Sequence, residues 1–172
     1  MKFLVSLLSS LIFGLFWFTT LFAQDQSLIR HSVIPATEEH DTIKFGVMIP
    51  PSYQDNGKRY PVIYYLHGSN GQYSGWQAHM VAEFFTEHSL NRDIPECIIV
   101  FPDGREGLWW NHYDGDPLLE KEVIDILIPH IGLNYPVDVE KQLIMGWSAG
   151  GAGTMNFFSK HPALFKACIS LD

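Results

Sequence analysis

Gly146-Trp147-Ser148-Ala149-Gly150 is the stretch of this chain whose residue types and spacing suit covalent chemistry. A serine with glycines two positions before and two after it, G-x-S-x-G, is the pattern of a hydroxyl displayed on a sharp turn from a strand into a helix. Such a turn strains the serine backbone and lifts its Oγ clear of the sheet, and the small flanking residues leave room for the bend. The chemistry would be nucleophilic attack on a carbonyl by Ser148. The N–H of Ala149, the first of the helix, would face the developing oxyanion, and the helix N-terminus would add partial positive charge. Five residues recur by chance in many chains, so the elements around them decide the weight of the motif.

Those elements agree with it. Leu143, Ile144 and Met145 form a short apolar run fit for a buried strand, and the residues after Ser148 read as a helix to Lys160. Gly151 and Gly153 would let that helix pack closely on its strand. Upstream, Val62 to Leu66 reads as a second strand running into His67-Gly68, a place for the other half of an oxyanion hole. From Val62 onward strands and helices alternate: strands near 62–66, 96–101, 141–145 and 166–171, helices near 75–89, 117–131 and 149–160. That order implies a parallel sheet covered on both faces. Residues 27–35 and 41–50 read as two edge strands before it, the second ending at Pro50-Pro51. Asp116-Pro117 reads as a helix start, and Leu119, Val123, Ile126, Leu127 and Ile131 as that helix's core stripe.

Five collinear segments, YPVIYYLHGSNG (60–71) with Gly75-Trp76, IIVFPDG (98–104), LIPHIGLNYPVD (127–138), GWSAGG (146–151) and KHPALFKACISLD (160–172), resemble the esterase D-like family of α/β-hydrolases. That family includes feruloyl and other carbohydrate esterases, S-formylglutathione hydrolases and mycolyltransferases, and the elbow and the Asp-Gly pair look most like its secreted feruloyl esterase-like branch. The resemblance implies an α/β-hydrolase fold with a mostly parallel sheet, Ser148 as nucleophile, and the backbone N–H groups of Ala149 and Ser69 as oxyanion donors, with Gly68 as the neighbouring alternative. It implies that His67 packs and hydrogen-bonds to order its loop and is not the base. It implies no cofactor.

The triad order in this fold is serine, then acid, then histidine. After Ser148 the sequence has one histidine, His161, at the end of the elbow helix, and one acid, Asp172. Neither matches the family's position for the base or acid, so the reading is of residues 24–172 as the first two thirds of a longer domain, the base and acid lying beyond Asp172. As given, the chain is then expected to turn over poorly, because a serine without its base loses most of its activation.

The segment Phe101 to Gly115 follows a strand at the sheet edge where open α/β sheets bind ligands, and it carries Trp109, Trp110, His112 and Tyr113. Two readings stand: a loop packing its own aromatics over the sheet, or an aromatic wall for a flat acyl group or sugar ring. Trp109, Trp110, Trp147 and His67 are the candidate substrate-lining residues. Asp103, Asp114 and Asp116 read as turn formers rather than calcium ligands, and no metal site is expected.

Residues 1–23, Lys2 followed by an apolar run to Phe22 and then Ala23, read as a secretory leader cleaved after Ala23, or as an uncleaved anchor. A secreted or periplasmic location follows. A net charge of −8 and no Lys/Arg-rich stretch argue against nucleic acid or anionic membrane as partners. Cys97 and Cys168 sit in apolar strand patterns and read as core thiols rather than a disulfide. The leading function is a secreted serine esterase acting on a small-molecule or polysaccharide-linked ester. Acyl transfer by the same fold, and a non-catalytic glycan-binding or relic domain, are the alternatives.

Overall fold

The computed structural model describes residues 28–38, 41–105, 109–111, 113 and 119–172. The leader, the Asp116-Pro117 helix start, His112 and Asp114 lie outside the described residues. Six strands form one sheet in the order β1-β2-β4-β3-β5-β6: β1 Ile29–Ile34, β2 Ile43–Met48, β3 Tyr60–Leu66, β4 Ile98–Pro102, β5 Val137–Trp147 and β6 Ala167–Leu171. β4, β3, β5 and β6 run parallel; β1 and β2 join antiparallel at one side.

The central strands are buried on both faces, which is why they read as continuous apolar runs. Val62, Tyr64 and Leu66 of β3 with Ile98 and Val100 of β4 face one core; Ile63 and Tyr65 with Ile99 and Phe101 face the other. Helix α1, Trp76–Leu90, closes the second core with Ala78, Val81 and Ala82. The first core is closed by α2, which runs through Leu119–Lys121, Glu122–Leu127 and Ile128–Asn134, and by α3, Ala149–Lys160.

Three details depart from the pattern expected. β2 is not an edge: it lies between β1 and β4, and five of its six residues are buried because it is paired on both sides. β5 starts earlier than its apolar run, at Val137, with a register shift opposite Pro61, which has no N–H to donate. The polar residues Asp138 to Lys141 hide that part of the strand from a hydropathy reading. The middle of α2 is a π-helical segment just before Pro129. Proline in an α-helix lacks a donor and crowds the carbonyl four residues back; a widened turn relieves both. The stripe Leu119, Val123, Leu127 and Ile131 recurs every fourth residue and is buried throughout, with Ile126 partly exposed beside it.

Cys97 is buried, Cys168 half-buried, and both are free thiols. Burial pushes the Cys97 thiol up to about 12. β6 forms an edge, with Ile169 and Leu171 exposed on it.

Candidate active site

Ser148 stands between β5 and α3 with φ 54° and ψ −119°, a conformation that costs an L-residue about 1–3 kcal/mol. The surroundings hold it there. Its N–H donates to the Leu171 carbonyl at 2.8 Å, which ties the turn to β6. Below it the two motif glycines pack backbone to backbone: a Cβ at Gly150 would lie 1.9 Å from the Leu66 oxygen, and one at Gly146 would lie 2.3 Å from the Gly150 oxygen. No side chain fits either position, so the sharp turn depends on both. Ser148 is exposed. The Ala149 N–H opens α3, where amide groups lack intrahelical acceptors and the helix dipole is positive.

The loop after β3 forms the opposite wall. A Cβ on Gly68 would lie 3.4 Å from Ser148 Cβ and 3.1 Å from the Trp147 oxygen, so this backbone passes directly against the nucleophile. Gly68 N–H donates to Gln77 Oε1 at 3.0 Å. The Gly71 N–H closes a turn onto the Gly68 carbonyl at 2.9 Å, with Asn70 at φ 56° in a left-handed position that asparagine tolerates. The exposed Ser69 lies inside this turn, and its N–H donates to no described residue.

His67 is fixed from both ring nitrogens. Nε2 accepts the Gly104 N–H at 3.0 Å, which leaves the proton on Nδ1 to donate to the Gly68 carbonyl at 2.9 Å. Burial lowers its pKa below the ordinary 6.5, opposed by the Gly68 hydrogen bond and the Asp103 carboxylate, so the ring is held neutral. Both nitrogens are therefore engaged away from Ser148. Trp109 completes the arrangement: its Nε1 donates to the His67 carbonyl at 2.9 Å and its ring meets the imidazole edge-on, 4.9 Å between centroids.

Two of the expected substrate-lining residues are corrected by this packing. Trp109 has no exposed surface and His67 only 2%; their polar atoms are spent on backbone groups, so they shape the site from beneath instead of meeting a ligand. Trp109 is seated by small residues, since a Cβ at Gly153 would strike its own Cβ at 2.3 Å. Trp110 is exposed, and the half-buried Trp147 pairs edge-on with the exposed Trp76 at 5.4 Å. The structure thus brings Ser148, Ala149, Ser69 and Trp147 to one end of the sheet.

It separates His161 from them. His161 ends α3, and its Nε2 lies 3.1 Å from Glu120 Oε1, whose other oxygen takes Lys160 Nζ at 2.7 Å. A twelve-residue helix spans about 18 Å, so that imidazole is a helix length from Ser148. Asp172 follows Leu171 and is exposed. Among the described residues no group of three or more His, Cys, Asp or Glu could hold a metal ion.

Sequence reasoning missed Gln77 and the role of Trp76. Gln77 is 8% exposed on the inward side of α1 beside Ala78 and Val81, and a polar residue on an apolar helix face was the available signal. Gln77 also bears on the choice of oxyanion donor: it occupies the Gly68 N–H, and the next N–H along is that of Ser69.

Comparison with known proteins places this geometry. Esterase Rv1288 of Mycobacterium tuberculosis is 28% identical over 131 residues, which cover 73% of this chain and 28% of that protein. A solved ferulic acid esterase superposes with a TM-score of 0.73 at 23% identity, over 83% of this chain and 56% of its own. An S-formylglutathione hydrolase from Agrobacterium tumefaciens superposes with a TM-score of 0.66 at 21% identity, over 86% of this chain and 59% of its own. The chain therefore spans just over a quarter of the curated relative's length and rather more than half of these solved structures. The likeness to them establishes the α/β-hydrolase fold. With the family model matching residues 37–172, which take in both the β3 loop and the serine turn, the chain belongs to the family described as "Putative esterase".

Proposed function

We propose that the whole protein is a secreted serine esterase that cleaves carboxylic esters through an acyl-enzyme on Ser148. The observation that carries this is the strained backbone of an exposed serine at a strand-to-helix turn, because a binding module gains nothing from holding a serine at positive φ. Ser148 Oγ attacks the ester carbonyl; the Ala149 and Ser69 N–H groups receive the oxyanion; the alcohol leaves, and water releases the acid. His67 is committed to Gly104 and Gly68, and His161, the one histidine after Ser148 in residues 1–172, to Glu120; with the fold's order of serine, acid, histidine, the reading draws the proton-accepting histidine from beyond these residues. The apolar leader supports secretion, and with it an extracellular or periplasmic ester as substrate.

A fluorophosphonate probe and p-nitrophenyl acetate test the proposal on the full-length gene product beside residues 24–172. Labelling at Ser148 of the full-length protein, absent in Ser148→Ala and weak in the shorter chain, is the expected result. A full-length protein that takes no label at Ser148 would falsify the esterase reading.

A further inference from the structure

Glu122 is a carboxylate buried to 6% exposure, and the chemistry at Ser148 does not use it. It stands near the start of α2, and its Oε1 accepts from Arg105 Nη2 at 2.9 Å. A carboxylate is costly to bury unless a cation or donor compensates it, so the pair with Arg105 is what lets Glu122 lie inside. Arg105 directly follows Gly104, the residue whose N–H engages His67. We infer that Arg105 and Glu122 are a positioning pair, which aims the Ser69 N–H at the oxyanion by way of Gly104 and His67. Its effect on turnover rests on the esterase reading; its control of the His67 ring does not.

The path is short, and each link is a bond. From Glu122 it runs to the Arg105 guanidinium, along the backbone to the Gly104 N–H, and on to His67 Nε2 at 3.0 Å. His67 Nδ1 then donates to the Gly68 carbonyl at 2.9 Å, which also takes the Gly71 N–H that closes the turn around Ser69. Rotation of the Gly104 peptide would withdraw its N–H from Nε2 and free the ring to change tautomer. In the other tautomer Nδ1 carries no proton and would meet the Gly68 carbonyl lone pair to lone pair, so the turn would shift.

That peptide needs holding, because the backbone around it is strained. Arg105 has φ 51° and Trp109, four residues on, has φ 65°, both in the left-handed region. Residues with such side chains stay there only when the surrounding contacts fix them. Arg105 is fixed twice: its N–H donates to Asp103 Oδ1 at 3.1 Å, and its guanidinium is tied to Glu122. Trp109 is fixed by the bond from Nε1 to the His67 carbonyl and by its fit over Gly104, where any Cβ would overlap its ring. Two strained residues thus converge on His67, one through Gly104 and one through its indole.

The full-length protein, with its histidine nitrogens isotopically labelled for NMR, tests the inference. The His67 ring, assigned by its loss in His67→Gln, should show one protonated and one bare nitrogen in the wild type. In Arg105→Ala and Glu122→Gln the two signals should draw together as tautomers mix. With p-nitrophenyl acetate, kcat should fall about tenfold in Arg105→Ala and about threefold in Glu122→Gln, with KM within about twofold, because the aimed donor serves the oxyanion and not the bound ester. The double variant should be no worse than Arg105→Ala, and Arg105→Lys should recover most of the loss. Lys58→Gln, which breaks the ion pair to Glu96 just before β3, should move neither readout.

A merely structural pair would lower the melting temperature and leave the ring and the kcat to KM split as they are. A His67 ring that neither single variant disturbs, or a kcat that neither lowers in a protein that turns over, overturns the inference, as does a double variant whose losses multiply. If Arg105→Ala does not fold, Glu122→Gln and Arg105→Lys decide by the same signals. Tautomer mixing in the variants of a protein that hydrolyses no ester rejects the esterase reading alone; turnover beside an undisturbed His67 ring rejects the positioning pair alone.

Discussion

At Ser148 function and stability pull in opposite directions. The positive φ that exposes Oγ is a cost the fold carries through the Gly146–Gly150 contact and the bond from Ser148 N–H to Leu171. Replacing the serine by alanine removes the hydroxyl and keeps the strain; replacing it by glycine removes both. Ser148→Gly is therefore expected to melt about 2–4 °C above the wild type, from about 1 kcal/mol of net relief, while Ser148→Ala stays near it. Differential scanning calorimetry on the two variants decides this, and equal melting points would mean that the turn stores no strain.

The loop after β3 is an element whose shape is set by one neutral imidazole. His67 accepts from Gly104 through Nε2, and a proton on that nitrogen would turn the acceptor into a second donor facing the N–H. Because burial holds the folded pKa below the ordinary 6.5, the neutral ring's contribution is fully present above about pH 6.5 and is lost as pH falls through the lower folded value. Urea midpoints measured from pH 7.5 to 5 should fall more steeply for the wild type than for His67→Gln; parallel curves would remove His67 from the account. Much at this scale was legible in advance. G-x-S-x-G on a strand-to-helix turn and His67-Gly68 at the end of an apolar strand are local patterns, and both came out where expected. The inward turn of Trp109 was not legible, because it is decided by packing against Gly104 and Gly153, and although a polar residue on the apolar face of α1 marked Gln77, its partner, the Gly68 amide, was not. An aromatic-rich loop looks the same in sequence whether its rings point inward or outward. β2 was misjudged for a similar reason, since being an edge depends on which strands flank it.

Across the whole molecule, two apolar surfaces stand open, the β6 edge and the outer side of α1. Ile169 and Leu171 on β6 are 48% and 45% exposed, and Trp76, Met80 and Phe84 line the outer side of α1 at four-residue spacing. An exposed apolar edge strand invites pairing with another copy. Residues 24–172 are expected to self-associate at micromolar concentration, and Ile169→Lys to reduce this, read by light scattering; a monodisperse wild-type chain would contradict it. The buried indole of Trp109 bears on how such a molecule can be observed. It touches the β3 loop through His67, the β4 end through Gly104 and α3 through Gly153, so its surroundings are apolar and rigid only while all three are assembled. With the other tryptophans replaced by phenylalanine, Trp109 is thus an intrinsic optical gauge: its short-wavelength emission, lost when the indole meets water, marks the moment the scaffold around the nucleophile comes apart, independently of any substrate.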